Sequence, residues 1–136
     1  MKGLRLYKKE KLCSPVAVDM LFARGSGSDS HLSYPLRAVW RQNLRRRSDA
    51  PVAFVITVPK KRLRHAVDRV TMRRRIREAY RLCRPDFPMP AGIRIDLALV
   101  YVASHLCDYA AVDRAVRRIM GAVQSSANKG NDETSA

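Results

Sequence analysis

Acidic residues are scarce in this chain: 12 Asp and Glu stand against 27 Lys and Arg in 136 residues, a formal net charge of +15. A compact state with that imbalance repels itself unless an anionic partner offsets it. Long apolar runs are missing too. No 18-residue apolar stretch exists, which excludes a bilayer-spanning helix. The opening MKGLRLYKKEKLCSPVAVDM lacks the apolar core and small-residue cleavage site of a signal peptide, so a cytoplasmic protein is expected. Cys13, Cys83 and Cys107 are odd in number and too far apart for a metal knuckle, and His31, His65 and His105 are equally scattered. That pattern favours reduced thiols and ordinary histidines over zinc binding or Cys-His catalysis. Paired carboxylates, a Gly-rich phosphate loop and a Ser-His-Asp spacing are also absent, so no catalytic residue or metal ligand is expected among the side chains. Asp96 has Arg94 as a same-face neighbour, and an ion pair accounts for it.

What is present suffices for one ordinary core: 46% of the residues are apolar. Ser14-Pro15 reads as a cap and first helical position, opening a short helix that ends near Gly25. GSGSDS over residues 25–30 is a loop. Residues 34–42 (YPLRAVWRQ) read as a strand, with room for one further short strand around 31–42. Residues 43–50 are a charged hairpin connection carrying Arg45, Arg46 and Arg47. Residues 52–58 (VAFVITV) form a continuous β-branched run, a strand covered on both faces or nearly so. Pro59 ends it, Asp68 can cap a helix running to about Cys83, and Pro85 stops that helix. Residues 93–102 (IRIDLALVYV) alternate as a third strand, and Asp108 caps a last amphipathic helix. The α+β domain thus spans 1–123, in the order α-β-β-(β)-α-β-α. The tail 124–136 (QSSANKGNDETSA) has the composition of disorder.

The most informative stretch is PKKRLRHAVDRVTMRRRIREAYRLCR, residues 59–84, with only Asp68 and Glu78 as acids. At 100° per residue, Met72, Ile76, Ala79, Tyr80 and Cys83 share one side of the helix. Arg73, Arg77, Arg81 and Arg84 share an adjoining arc, with Arg74 beside them. Guanidinium forks suit phosphate, and Arg69 lies in the first turn, where backbone N–H groups attract anions. Lys60, Lys61, Arg62 and Arg64 form a second cluster in the preceding loop. A solvated face is the bland alternative, but two acids cannot satisfy so many cations. The expected partner is nucleic acid, bound with steep salt dependence, rather than a membrane surface. Aromatics are few; Phe22 and Trp40 are the best candidates to stack on single-stranded bases, the others belonging to the core.

These residues resemble the bacterial ribonuclease P protein subunit. The strand VAFVITV, the turn at Val58 to Lys61, Ala66-Val67 and the Arg-Glu-Ala-aromatic-Arg ending at Arg77 to Arg81 have counterparts in that family. The resemblance covers roughly residues 4–123. Two positions depart from it: the family helix commonly opens Arg-Asn-Arg where this chain has Arg69-Val70-Thr71, and Val18 replaces an aromatic of the N-terminal helix.

The resemblance implies a sandwich like the second domain of ribosomal protein S5, with a left-handed β-α-β crossover carrying the arginine helix. It implies a protein that pairs with a catalytic RNA and helps remove the 5′ leader of precursor tRNA. Hydrolysis would fall to the RNA with Mg²⁺. The catalytic RNA would meet Lys60, Lys61, Arg62, Arg64, Arg69, Arg73, Arg74, Arg77 and Arg81. A cleft with Phe22, Arg37 and Trp40 would hold the leader. The rival readings are a ribosomal-type RNA-binding module, then a stand-alone nuclease. A DNA-binding protein ranks last, since the helix has no helix-turn-helix partner or dimer seam.

Overall fold

Side chains alternate across a strand, so each strand's sequence decides what it offers to either face of a sheet. The computed structural model describes residue 22 and residues 28–42, 51–90 and 92–135. Apart from Phe22, the expected N-terminal helix lies outside the described residues, as does the connection 43–50. The strands are β1 (Asp29–Ser33), β2 (Leu36–Gln42), β3 (Val52–Thr57) and β4 (Ile95–Tyr101), ordered β1-β2-β4-β3. The pairs β1–β2 and β2–β4 are antiparallel, whereas β3 and β4 are parallel. Parallel neighbours need a crossover, and helix α1 (Ala66–Cys83) supplies it. A 3₁₀ turn (Arg84–Asp86) follows, with Pro85 near its start, and helix α2 (Tyr109–Ser135) closes the described chain.

One face of the sheet carries Leu36, Ala38 and Trp40 of β2, Val52 and Phe54 of β3, and Ile95, Leu97, Leu99 and Tyr101 of β4. Against it pack Met72, Ile76, Ala79, Tyr80 and Cys83 of α1 and the stripe Val112, Val116, Ile119 and Val123 of α2. Phe54 and Tyr80 stack across that layer with ring centroids 4.4 Å apart and a 39° tilt. The opposite face holds a small separate cluster of Val39, Ala53 and Ala98. β4, buried on both faces, is the interior strand, while β3 lies at the end of the strand order with Thr57 exposed. Among the described residues no helix is long and apolar enough to cross a membrane.

Several expectations need correction. Asp29 and Ser30, expected in a loop, belong to β1, where they pair with Trp40 and Val39 of β2. Backbone pairing lets a polar edge strand form where its own side chains give no alternation signal. Helix α1 starts before Asp68: extended His65 is the cap residue, without a side-chain bond, and its carbonyl accepts from the Asp68 and Arg69 amides at 3.1 and 3.2 Å. Asp68 instead occupies the first turn, where the helix dipole favours an acid. Asp108 does cap α2, its Oδ1 accepting from the Ala111 amide at 3.0 Å. The expected disordered tail is helical through Ser135. Ala127 extends the buried stripe one turn past Val123, the Gln124 amide donates to the Pro88 carbonyl, and the Ser126 hydroxyl to Asp29.

Candidate nucleic-acid interface

The basic loop is held at both ends by apolar anchors. Val58 and Leu63 are each 5% exposed, while Lys60 and Lys61 between them are exposed. A turn closes the loop: the amides of Arg62 and Leu63 donate to the Pro59 carbonyl at 3.0 and 3.3 Å. Its cations therefore project from a fixed backbone rather than a floppy tether. Helix α1 continues the surface, with its apolar side on the sheet and Arg73, Arg74 and Arg77 exposed. Among the described residues no acid holds any of these three. Lys60, Lys61, Arg64, Arg73, Arg74 and Arg77 thus present one exposed basic surface along loop and helix.

The other candidates are differently occupied. Arg81 forks onto Glu78, with Nε and Nη2 donating at 3.1 and 2.5 Å. That hydrogen bond lowers the Glu78 carboxyl below its ordinary range and raises the Arg81 guanidinium. Arg69 points its Nη1 at the carbonyls of Leu63 and Arg64, at 2.9 and 3.0 Å. Thr71 donates its hydroxyl to the Val67 carbonyl one turn back, at 3.0 Å. Arg75, which the sequence did not single out, donates to the Cys107 carbonyl at 2.6 Å and ties α1 to the loop before α2. A groove of about 490 Å³ opens between the basic loop and that second loop, with His65 and His105 on its walls. No periodicity could reveal this groove, because its walls are distant in sequence and meet only through the crossover.

The three leader candidates separate. Phe22 is 50% exposed, and Arg37 is exposed on β2. Trp40 does not join them. Three residues along a strand reverse the face, so Trp40 lies in the core, 5% exposed, among residues that meet α1 and α2. Tyr34, in the turn between β1 and β2, is 59% exposed. Asp96 is 1% exposed and stands opposite Arg41 in register. Cys83 and Cys107 are free thiols, and burial pushes Cys83 up to about 11.

Among the described residues no three of His, Cys, Asp or Glu come together. What the surface can do is hold phosphates at defined positions. Comparison with known proteins agrees with that chemistry. A family model described as Ribonuclease P matches residues 8–124. Proteins from two strains of Porphyromonas gingivalis, each named Ribonuclease P protein component, are 35% identical to the chain over 131 residues. Those alignments cover 91% of this chain and 93% of each relative.

Proposed function

Since the chain belongs to the ribonuclease P protein component family, we propose that it holds the catalytic RNA on the surface formed by the basic loop and α1. The observation carrying this reading is the set of exposed cations Lys60, Lys61, Arg64, Arg73, Arg74 and Arg77, none held by an acid among the described residues, on a braced backbone. Each offers phosphate a charge without first breaking an internal ion pair, so association releases counterions at little reorganisation cost. The family resemblance further suggests a left-handed β3-α1-β4 crossover of the S5 type and a cytoplasmic site of action. Mg²⁺ would be held by RNA phosphates and would supply the chemistry of phosphodiester hydrolysis. The protein's part is to place and neutralise phosphates so that catalytic RNA and precursor tRNA approach each other.

The single-stranded 5′ leader would run past Phe22 and Arg37, an exposed ring for a base and a guanidinium for a phosphate. A direct test compares holoenzyme affinity for precursor and mature tRNA. The wild-type protein should increase the preference for precursor, and a Phe22→Ala, Arg37→Ala double variant should reduce it at unchanged affinity for the catalytic RNA. Equal preference in both proteins would remove the leader from this region.

A further inference from the structure

The groove between the basic loop and the loop before α2 is braced by two half-buried arginines, Arg69 and Arg75, whose guanidinium groups bond backbone carbonyls. Lys61, Arg62, Arg64 and His65 form one wall; Ser104 and His105 form the other. Behind the first wall, Arg69 Nη1 bonds both the Leu63 and Arg64 carbonyls. Those carbonyls end the basic loop, so their bonds set the direction in which the Arg64 side chain leaves the backbone. Behind the second wall, Arg75 Nη1 bonds the Cys107 carbonyl, and the Tyr101 hydroxyl donates to the His105 carbonyl. Asp68 is the one acid among the described residues that line the groove. Its volume of about 490 Å³ admits a phosphodiester with its sugar, and Lys61, Arg62 and Arg64 on its wall favour an anion over a cation.

We propose that this groove is a binding site for an RNA backbone phosphate, and that Arg69 and Arg75 are positioning residues that hold its walls rather than ligands. The inference deepens the RNA-binding reading above and rests on it. It also assigns Ser104 and His105, outside the basic stretch, to the contact surface. Arg69 commits its Nη1 to two carbonyls of the loop, which fixes the guanidinium against the backbone that carries Arg64. The proposal assigns its effect on RNA to the placement of Lys61, Arg62 and Arg64 rather than to its remaining Nε and Nη2 donors.

A double-mutant cycle separates positioning from direct contact. Affinity for a ribonuclease P RNA is measured for wild type, Arg69→Ala, the Lys61→Ala, Arg62→Ala, Arg64→Ala triple variant, and all four substitutions together. Loss of a charge-assisted hydrogen-bond pair predicts about tenfold weaker binding for Arg69→Ala alone. In the triple background the same change should cost less than about twofold, because the residues it positions are gone. An equal loss in both backgrounds would make Arg69 an independent phosphate ligand and overturn the proposal. Arg75→Ala should couple in the same way to Ser104→Ala with His105→Ala; additivity there would remove the second wall from the site. Arg69→Lys, which keeps the charge, guards against a variant that fails to fold, and should still couple to the triple variant. Repeating the cycle with a uridine decamer separates the two readings. Additive losses with tight wild-type binding would sink this inference alone, and a wild-type protein that binds neither RNA would sink both.

Discussion

Replacing Arg73 and Arg77 with Ala removes two exposed guanidinium groups from α1 without touching its buried side. Neither side chain is in the core, and no acid among the described residues loses a partner, so the fold should persist with an unchanged thermal midpoint. Binding should change in a defined way. Each lost phosphate contact lowers the slope of log affinity against log salt by about one, so the double variant should lose about two. Across a fourfold rise in salt, wild-type affinity should then fall about 16-fold more than that of the variant. The assay is equilibrium binding to a ribonuclease P RNA at several salt concentrations, read as a slope. A weaker affinity with the wild-type slope would mean that these arginines act on shape rather than on phosphate. An unchanged affinity and slope would refute the assignment of this face altogether.

Other outcomes follow from side chains already described. Glu78→Gln releases the Arg81 fork from its acid, and RNA affinity should rise a few-fold in a low-salt titration; unchanged affinity would place Arg81 outside the contact surface. Trp40→Ala should cost about 3–5 kcal/mol of stability in denaturant unfolding, as expected for a buried aromatic, whereas a surface stacking residue would cost far less. Cys83 is held protonated by burial, from an ordinary value of 9.0 up to about 11. Between those values the unfolded chain releases its thiol proton while the folded chain keeps it. Stability from this group is therefore full below about pH 9 and falls as pH rises toward 11. Cys83→Ala should flatten that alkaline decline, and an identical decline in both proteins would contradict the assignment.

Much of the fold beneath the basic surface was legible in the sequence because its signals are local. The apolar side of α1 repeats at helical spacing, and Met72, Ile76, Ala79, Tyr80 and Cys83 are all buried. The alternation of Ile95, Leu97, Leu99 and Tyr101 likewise marks the core face of β4. What stayed hidden depends on pairing and packing rather than on local side-chain pattern. β1 begins at Asp29, inside the expected loop, because β2 offers it a backbone edge, and α2 continues past Gln124 because Ala127 finds the same core. Trp40 looked available for stacking only while the face of its strand was unassigned. Arg69 shows the same limit at the site itself. Charge and helix position suggested a phosphate ligand, but the return of the basic loop over the first turn gives its guanidinium two carbonyls.

The central claim is that this protein assists an RNA that performs the cleavage. Labelled precursor tRNA incubated at low Mg²⁺ with the protein, with a ribonuclease P RNA, and with both together tests it most directly. The account predicts a mature 5′ end only when both are present, and a loss of that stimulation for the Arg73→Ala, Arg77→Ala protein. Cleavage by RNA-free protein, or no stimulation despite tight RNA binding, would contradict it.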